Sequence, residues 1–177
     1  MPEALLIIDV QNDFLPGGAL AVPGGDEVIA PINALAHDER FAVVIATRDW
    51  HPPDHSSFRD QGGPWPAHCV RDTPGAQLDA GLDGDVIDAV IDKGTGRDGP
   101  GYSAFENDEL RELLRQEQVV AVTIAGLATD VCVKATAEDA LREGLVVSIA
   151  AAASRGIDDD ASADALRSLA AAGAQVG

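Results

Sequence analysis

Short runs of apolar residues recur along the chain with almost no polar alternation, and longer amphipathic stretches separate them. Residues 4–10, 41–47, 86–92, 119–126 and 145–150 read as buried strands, with a last weak strand over 174–176. Runs without alternation are what a sheet needs when helices cover both of its faces. Helical patterns fill the gaps, over residues 26–36, 107–116, 130–143 and 158–172. In the second of these, Leu110, Leu113 and Leu114 fall on one face. Acidic residues stand near the helix starts, where the dipole is positive, and Gly144 and Gly173 stand where a left-handed residue closes the last turn. The alternation predicts an α/β fold, with a mostly parallel six-stranded sheet between two helical layers. A length of 177 residues fits one such three-layer domain over residues 1–177. Right-handed crossovers then favour a doubly wound strand order such as 3-2-1-4-5-6.

That order says where to look for chemistry. Ligands of open α/β sheets bind beyond the carboxyl ends of the strands, near the point where strand order reverses. Asp9, Asp49 and Lys93 fall at such ends, and Cys132 follows one turn later. An acidic residue ending a strand is often a turn-former, and a lone lysine there is often a solvated tip. Lysine is scarce in this chain, however, with only Lys93 and Lys134 present. Cys132 lies in A-G-L-A-T-D-V-C-V-K, which runs from a strand into a helix. There the helix dipole would favour a thiolate, and free backbone N–H groups could bind an oxyanion. The plainer reading is a small buried hydrophobe, and Cys69 is read that way. Taken together, an acid/base, a cation and a thiol are the equipment for acyl transfer through a thioester.

Three of the four histidines crowd near Asp49: His51 and His55 in R-D-W-H-P-P-D-H-S-S-F, and His68 in W-P-A-H-C-V. Residues two apart in an extended chain point the same way, so Asp49 and His51 can share a face. Pro52 and Pro53 forbid a helix and fix an irregular path to His55. Imidazoles with a carboxylate suit one divalent ion, and Zn, Fe and Mn fit equally well.

Composition removes other classes. A net charge of −18 repels phosphate backbones and anionic membranes, so neither nucleic acid nor membrane is an expected partner. No apolar run reaches membrane-spanning length, no signal peptide is evident, and two cysteines make no disulfide framework. A reduced, cytoplasmic protein is the expectation. No G-x-S-x-G supports a serine hydrolase, and no G-x-G-x-x-G follows the first strand.

The blocks D-V-Q-N-D-F-L-P-G-G-A-L-A-V at 9–22, R-D-W-H-P-P-D-H-S-S-F at 48–58 and W-P-A-H-C-V at 65–70 continue with three more. These are D-K-G at 92–94, Y-S-A-F at 102–105 and G-L-A-T-D-V-C-V at 126–133. In this order they resemble the nicotinamidase/pyrazinamidases of the isochorismatase-like cysteine hydrolase superfamily, over nearly the whole chain. The resemblance implies that Cys132 attacks the carboxamide of nicotinamide or pyrazinamide, Asp9 moves the proton and Lys93 holds Asp9. It implies an oxyanion hole from the N–H groups of Ala128 and Cys132, with a cis peptide at Leu127–Ala128. It makes Asp49, His51, His55 and His68 the ligands of one divalent ion. Phe14 and Trp65 would flank the aromatic ring, with Leu20, Tyr102 and Leu127 lining the pocket. The implied place in metabolism is NAD salvage, and the resemblance leaves room for a homo-oligomer. Two other readings remain at this point: a relative acting on ureido or carbamoyl substrates, and a metal-binding module without catalysis. The glycine-rich loop before Tyr102 is expected to be mobile.

Overall fold

The computed structural model describes residues 1–177. Six strands form one sheet: β1 (Glu3–Ile8), β2 (Phe41–Asp49), β3 (Ala89–Lys93), β4 (Ala121–Leu127), β5 (Val146–Arg155) and β6 (Gln175–Val176). All pairings are parallel and the order is β3-β2-β1-β4-β5-β6, the doubly wound arrangement expected from the sequence. Four helices flank it: α1 (Ile29–Ala36), α2 (Asp108–Gln116), α3 (Lys134–Arg142) and α4 (Asp159–Ala171).

The unalternating strands feed two cores. In β1, Leu6 and Ile8 face the core that includes Leu110, Leu114, Ala137 and Leu169 of α2, α3 and α4. Leu5 and Ile7 face the other core, with Ile32 and Ala36 of α1. Each of these β1 side chains is essentially fully buried, worth about 1.5–3 kcal/mol apiece. After Glu3 this central strand is thus apolar on both faces, and the next polar side chain, Asp9, comes where the chain leaves the sheet.

The elements differ from the sequence reading at their ends. The helix expected over 130–143 opens with a π-turn, Thr129–Val133, before α3 begins. The one expected over 26–36 opens with a 3-10 turn, Gly25–Val28. β3 starts three residues late because Asp83 caps a 3-10 turn, Gly84–Val86, through the Asp85 N–H. β5 runs past residue 150 to Arg155, pairing Ser154 with Gly126 and Arg155 with Leu127 after a register shift. Helix ends follow expectation. Asn107 and Asp158 accept the backbone N–H groups of Glu109 and Ala161, and Gly144 and Gly173 have φ of 81° and 111°. No helix is long and apolar enough to cross a membrane.

Candidate active site

The carboxyl ends of β3, β2, β1 and β4 lie side by side in the sheet, so Lys93, Asp49, Asp9 and Cys132 meet beyond them. Lys93 is at the centre, its side chain wholly buried. Its Nζ lies 2.7 Å from Asp9 Oδ2, 2.6 Å from Asp49 Oδ1, 2.8 Å from Gly101 O and 3.4 Å from Cys132 Sγ. Burial works against the ammonium, but the two carboxylates and the cysteine outweigh it and keep Lys93 protonated.

Asp9 leaves β1 in a left-handed conformation, φ 50°, that disfavours most residues and is tolerated best by Gly, Asn and Asp. Thr47 fixes it from β2: its hydroxyl donates to Asp9 Oδ1 at 2.8 Å, and its carbonyl accepts the Asp9 N–H at 3.2 Å. Burial raises the Asp9 carboxyl to about 6 against the pull of Lys93, with the nearby Asp49 charge adding to the rise. Asp49 behaves oppositely. Burial would raise it too, but Lys93 and His51 hold it below the usual carboxylate range.

Cys132 sits in the π-turn, ahead of α3 proper. The sequence suggested a thiolate favoured by the helix dipole. Instead burial pushes the thiol well up, Lys93 only partly opposes this, and Asp9 and Asp49 add to it. The resting group is therefore a thiol, which needs a base to become nucleophilic. Carboxylate oxygens of Asp9 and Asp49 lie within 4.8 Å of Sγ and of each other. That trio resembles a metal site, but Lys93 already supplies the cation between its members.

The second cluster has the opposite character. His51 donates Nδ1–H to Gly94 O at 2.7 Å, and His68 donates its own to Pro66 O at 2.8 Å. Those contacts turn the two Nε2 atoms toward Asp49 Oδ2, at 3.4 Å for His51 and 3.8 Å for His68. His55 stacks on His51 with ring centroids 3.9 Å apart, and its buried Nε2 has no partner. Burial lowers His55 to about 4 and lowers His68 as well, so both are neutral near pH 7. The ligand atoms of Asp49, His51 and His68 lie within 4.8 Å of one another, an arrangement that fits a divalent cation, whereas His55, expected as a fourth ligand, stands outside that group. Phe58, fully buried, packs against all three rings at 5.4–5.8 Å and keeps water from them.

Between the two clusters opens a mostly apolar pocket of about 410 Å³, part of it open to solvent. Phe14, Leu20, Trp65, Tyr102 and Leu127 line it as the resemblance implied, together with Asp49, His68, Ala128 and Cys132. Trp65 Nε1 donates to the Tyr102 hydroxyl at 3.1 Å, which ties the two rings together. The Leu127–Ala128 peptide is cis, as expected.

Every residue singled out in the sequence therefore lies at one of the two clusters or in the pocket joining them. Other contributors were not foreseen: Val131, Pro100 and Ile157 in the wall, and Thr47, Gln11, Ser57 and Gly94 as partners of key groups. Gln11, Ser57 and Gly94 stood inside the quoted blocks, but an uncharged side chain or a glycine carries no chemical signal of its own. Ile157 had no signal, since its loop follows a strand that read as ending seven residues earlier.

The parallel doubly wound sheet thus gathers a buried Asp–Lys–Cys group at its strand ends. The isochorismatase domain matches residues 3–177, and the chain belongs to that family. Within it, the likeness is to the nicotinamidases. The nicotinamidase/pyrazinamidase of Mycobacterium tuberculosis is 43% identical over 94% of this chain and 94% of its own. The structure of Pyrococcus horikoshii pyrazinamidase in complex with zinc superposes with a TM-score of 0.93 at 44% identity, covering 100% of this chain and 99% of that one. PnC1 from L. infantum in complex with nicotinate gives 0.95 at 41% identity, covering 99% and 92%.

Proposed function

We propose that this chain hydrolyses nicotinamide to nicotinate and ammonia, and accepts pyrazinamide as an analogue. The observation that carries this is the Lys93 ammonium touching Asp9, Asp49 and Cys132 at once, beside a buried histidine cluster across a mostly apolar pocket. Asp49, His51, His55 and His68 would hold one divalent ion, a Lewis acid able to anchor the ring nitrogen of a pyridine or pyrazine. The ring then lies between Phe14 and Trp65, with its carboxamide toward Cys132.

The chemistry belongs to the chain's own groups. Asp9 takes the proton from Cys132 as sulfur bonds to the carboxamide carbon and the carbonyl pair moves onto oxygen. The N–H groups of Ala128 and Cys132 receive that oxyanion. Asp9 returns its proton to nitrogen, the C–N bond breaks, ammonia departs, and a nicotinoyl thioester remains. Water then attacks the thioester while Asp9 takes a proton from it. The C–S bond breaks, and the same proton restores the thiol. Lys93 keeps Asp9 ionised at neutral pH and does not itself exchange a proton.

Ammonia release from nicotinamide, with metal analysis of the same sample, tests this reading. Cys132→Ala should lose turnover by at least about a thousandfold and keep its metal. Near-normal turnover in that variant would refute the thioester route. No ammonia from a fully metallated wild-type protein would move the substrate to the ureido or carbamoyl class.

A further inference from the structure

β1 stops before β2 does. Its last sheet partners on the β4 side reach Ile8, and Asp9 then turns left-handed and carries the chain away. β2 continues to Asp49, which therefore has a strand neighbour on one side only, β3, through Lys93. On the vacated side stands the side chain of Gln11, wholly buried. Its Oε1 accepts the Asp49 N–H at 2.8 Å, and its Nε2 donates to Asp49 O at 2.8 Å and to Ala76 O at 2.8 Å. A primary amide offers a donor and an acceptor in the geometry of a peptide bond. Gln11 thus adds one rung to the sheet after the backbone has left, at the one residue that faces both clusters.

Asp49 has little room for error. One carboxylate oxygen meets Lys93 at 2.6 Å, and the other faces His51 and His68. We infer that Gln11 is a positioning residue that clamps the Asp49 backbone and so registers the metal cluster against Asp9. This inference rests on the metal-anchored reading of the site, and it identifies the residue that ties the two clusters. Asp13, two residues on, braces the neighbouring loop in a related way: its Oδ2 accepts the Cys69 N–H at 2.8 Å, beside His68. The segment that begins with the base thus suspends both stretches that carry metal ligands.

The test compares wild type with Gln11→Ala and with Gln11→Asn, whose amide is one methylene too short to span the same contacts. Zinc is titrated into each metal-free protein against a chromogenic chelator, and nicotinamide kinetics are run at saturating zinc. Both variants should bind zinc at least tenfold more weakly, with KM raised by a larger factor than kcat is lowered. A clamp that serves the fold alone would lower the metal-free unfolding midpoint and leave the zinc affinity within twofold of wild type. That result, or a fall in kcat with KM unchanged, overturns the assignment. If wild type releases no ammonia from nicotinamide, the zinc comparison still decides the role of Gln11.

Discussion

Asp9 is ionised, buried and left-handed at the same point in the chain, and each condition constrains its titration. Its folded pKa of about 6 lies above the ordinary 3.8 of an aspartate. The sign follows from linkage. Whatever stability the protonated form contributes is present below about pH 4 and is lost as pH rises through 6. At neutral pH the ionised Asp9 therefore works against folding, a cost accepted at a site that needs a base. For the proposed mechanism the direction reverses, because only an ionised Asp9 could take the thiol proton. The ratio kcat/KM should fall about tenfold per pH unit below an acid limb at pH 6. A cation beside Asp49 would shift the limb lower, since the Asp49 charge contributes to the raised value. A pH–rate profile with its acid limb above pH 7 would assign the base to another group.

At the scale of elements, the sequence revealed strands and ligands more readily than element ends. Apolar runs without alternation gave the parallel sheet because both faces of β1, β2 and β4 are truly covered. Asp9, Asp49 and Lys93 were legible because a charged residue ending such a run is conspicuous. β5 was read short because its continuation, Ala-Ala-Ala-Ser-Arg, has neither the bulk nor the branching that marks a strand, and pairing with β4 supplies what propensity lacks. The π-turn was invisible for a similar reason: helical periodicity does not reveal one extra residue per turn. The Gly94–Gly101 loop conceals a further constraint. The two glycines stack so closely that a Cβ on Gly101 would come within 2.7 Å of Gly94 Cα, and one on Gly94 within 2.4 Å of His51 Cε1. Gly94 also adopts φ 60°. Gly94→Ala should therefore displace His51, lower stability by about 1–3 kcal/mol and reduce metal content per folded protein. Unchanged metal stoichiometry in the purified variant would show that His51 tolerates the shift.

For the molecule as a whole, metal and fold are linked by mass action. A site preformed in the native state but absent from the unfolded chain adds about 2.7 kcal/mol at a hundredfold excess of metal over Kd. For a chain of this size that corresponds to roughly 5–10 °C in melting temperature. Chelation should lower the midpoint by that order and stop turnover at ordinary substrate concentration. The thiol lies on the other side of Lys93, so alkylation of Cys132 should proceed in the stripped protein. Alkylated protein, once reloaded with metal, should stay inactive. Full activity after reloading would make the ion, and not the sulfur, the agent of hydrolysis. The net charge of −18 favours the capture of free cations over anions across the whole particle.

Lys93 has a consequence for how this protein can change. One ammonium serves two carboxylates: Asp9, the proposed base, and Asp49, which faces the histidine cluster. Losing either leaves the cation bound to the other alone, so effects at these positions cannot be independent. Mutational drift is therefore asymmetric. The aromatic walls can be varied one at a time to retune ring preference, while Asp9, Asp49 and Lys93 must be inherited or lost together. A variant library aimed at new amides should hold that trio fixed, because its members are epistatic by electrostatics.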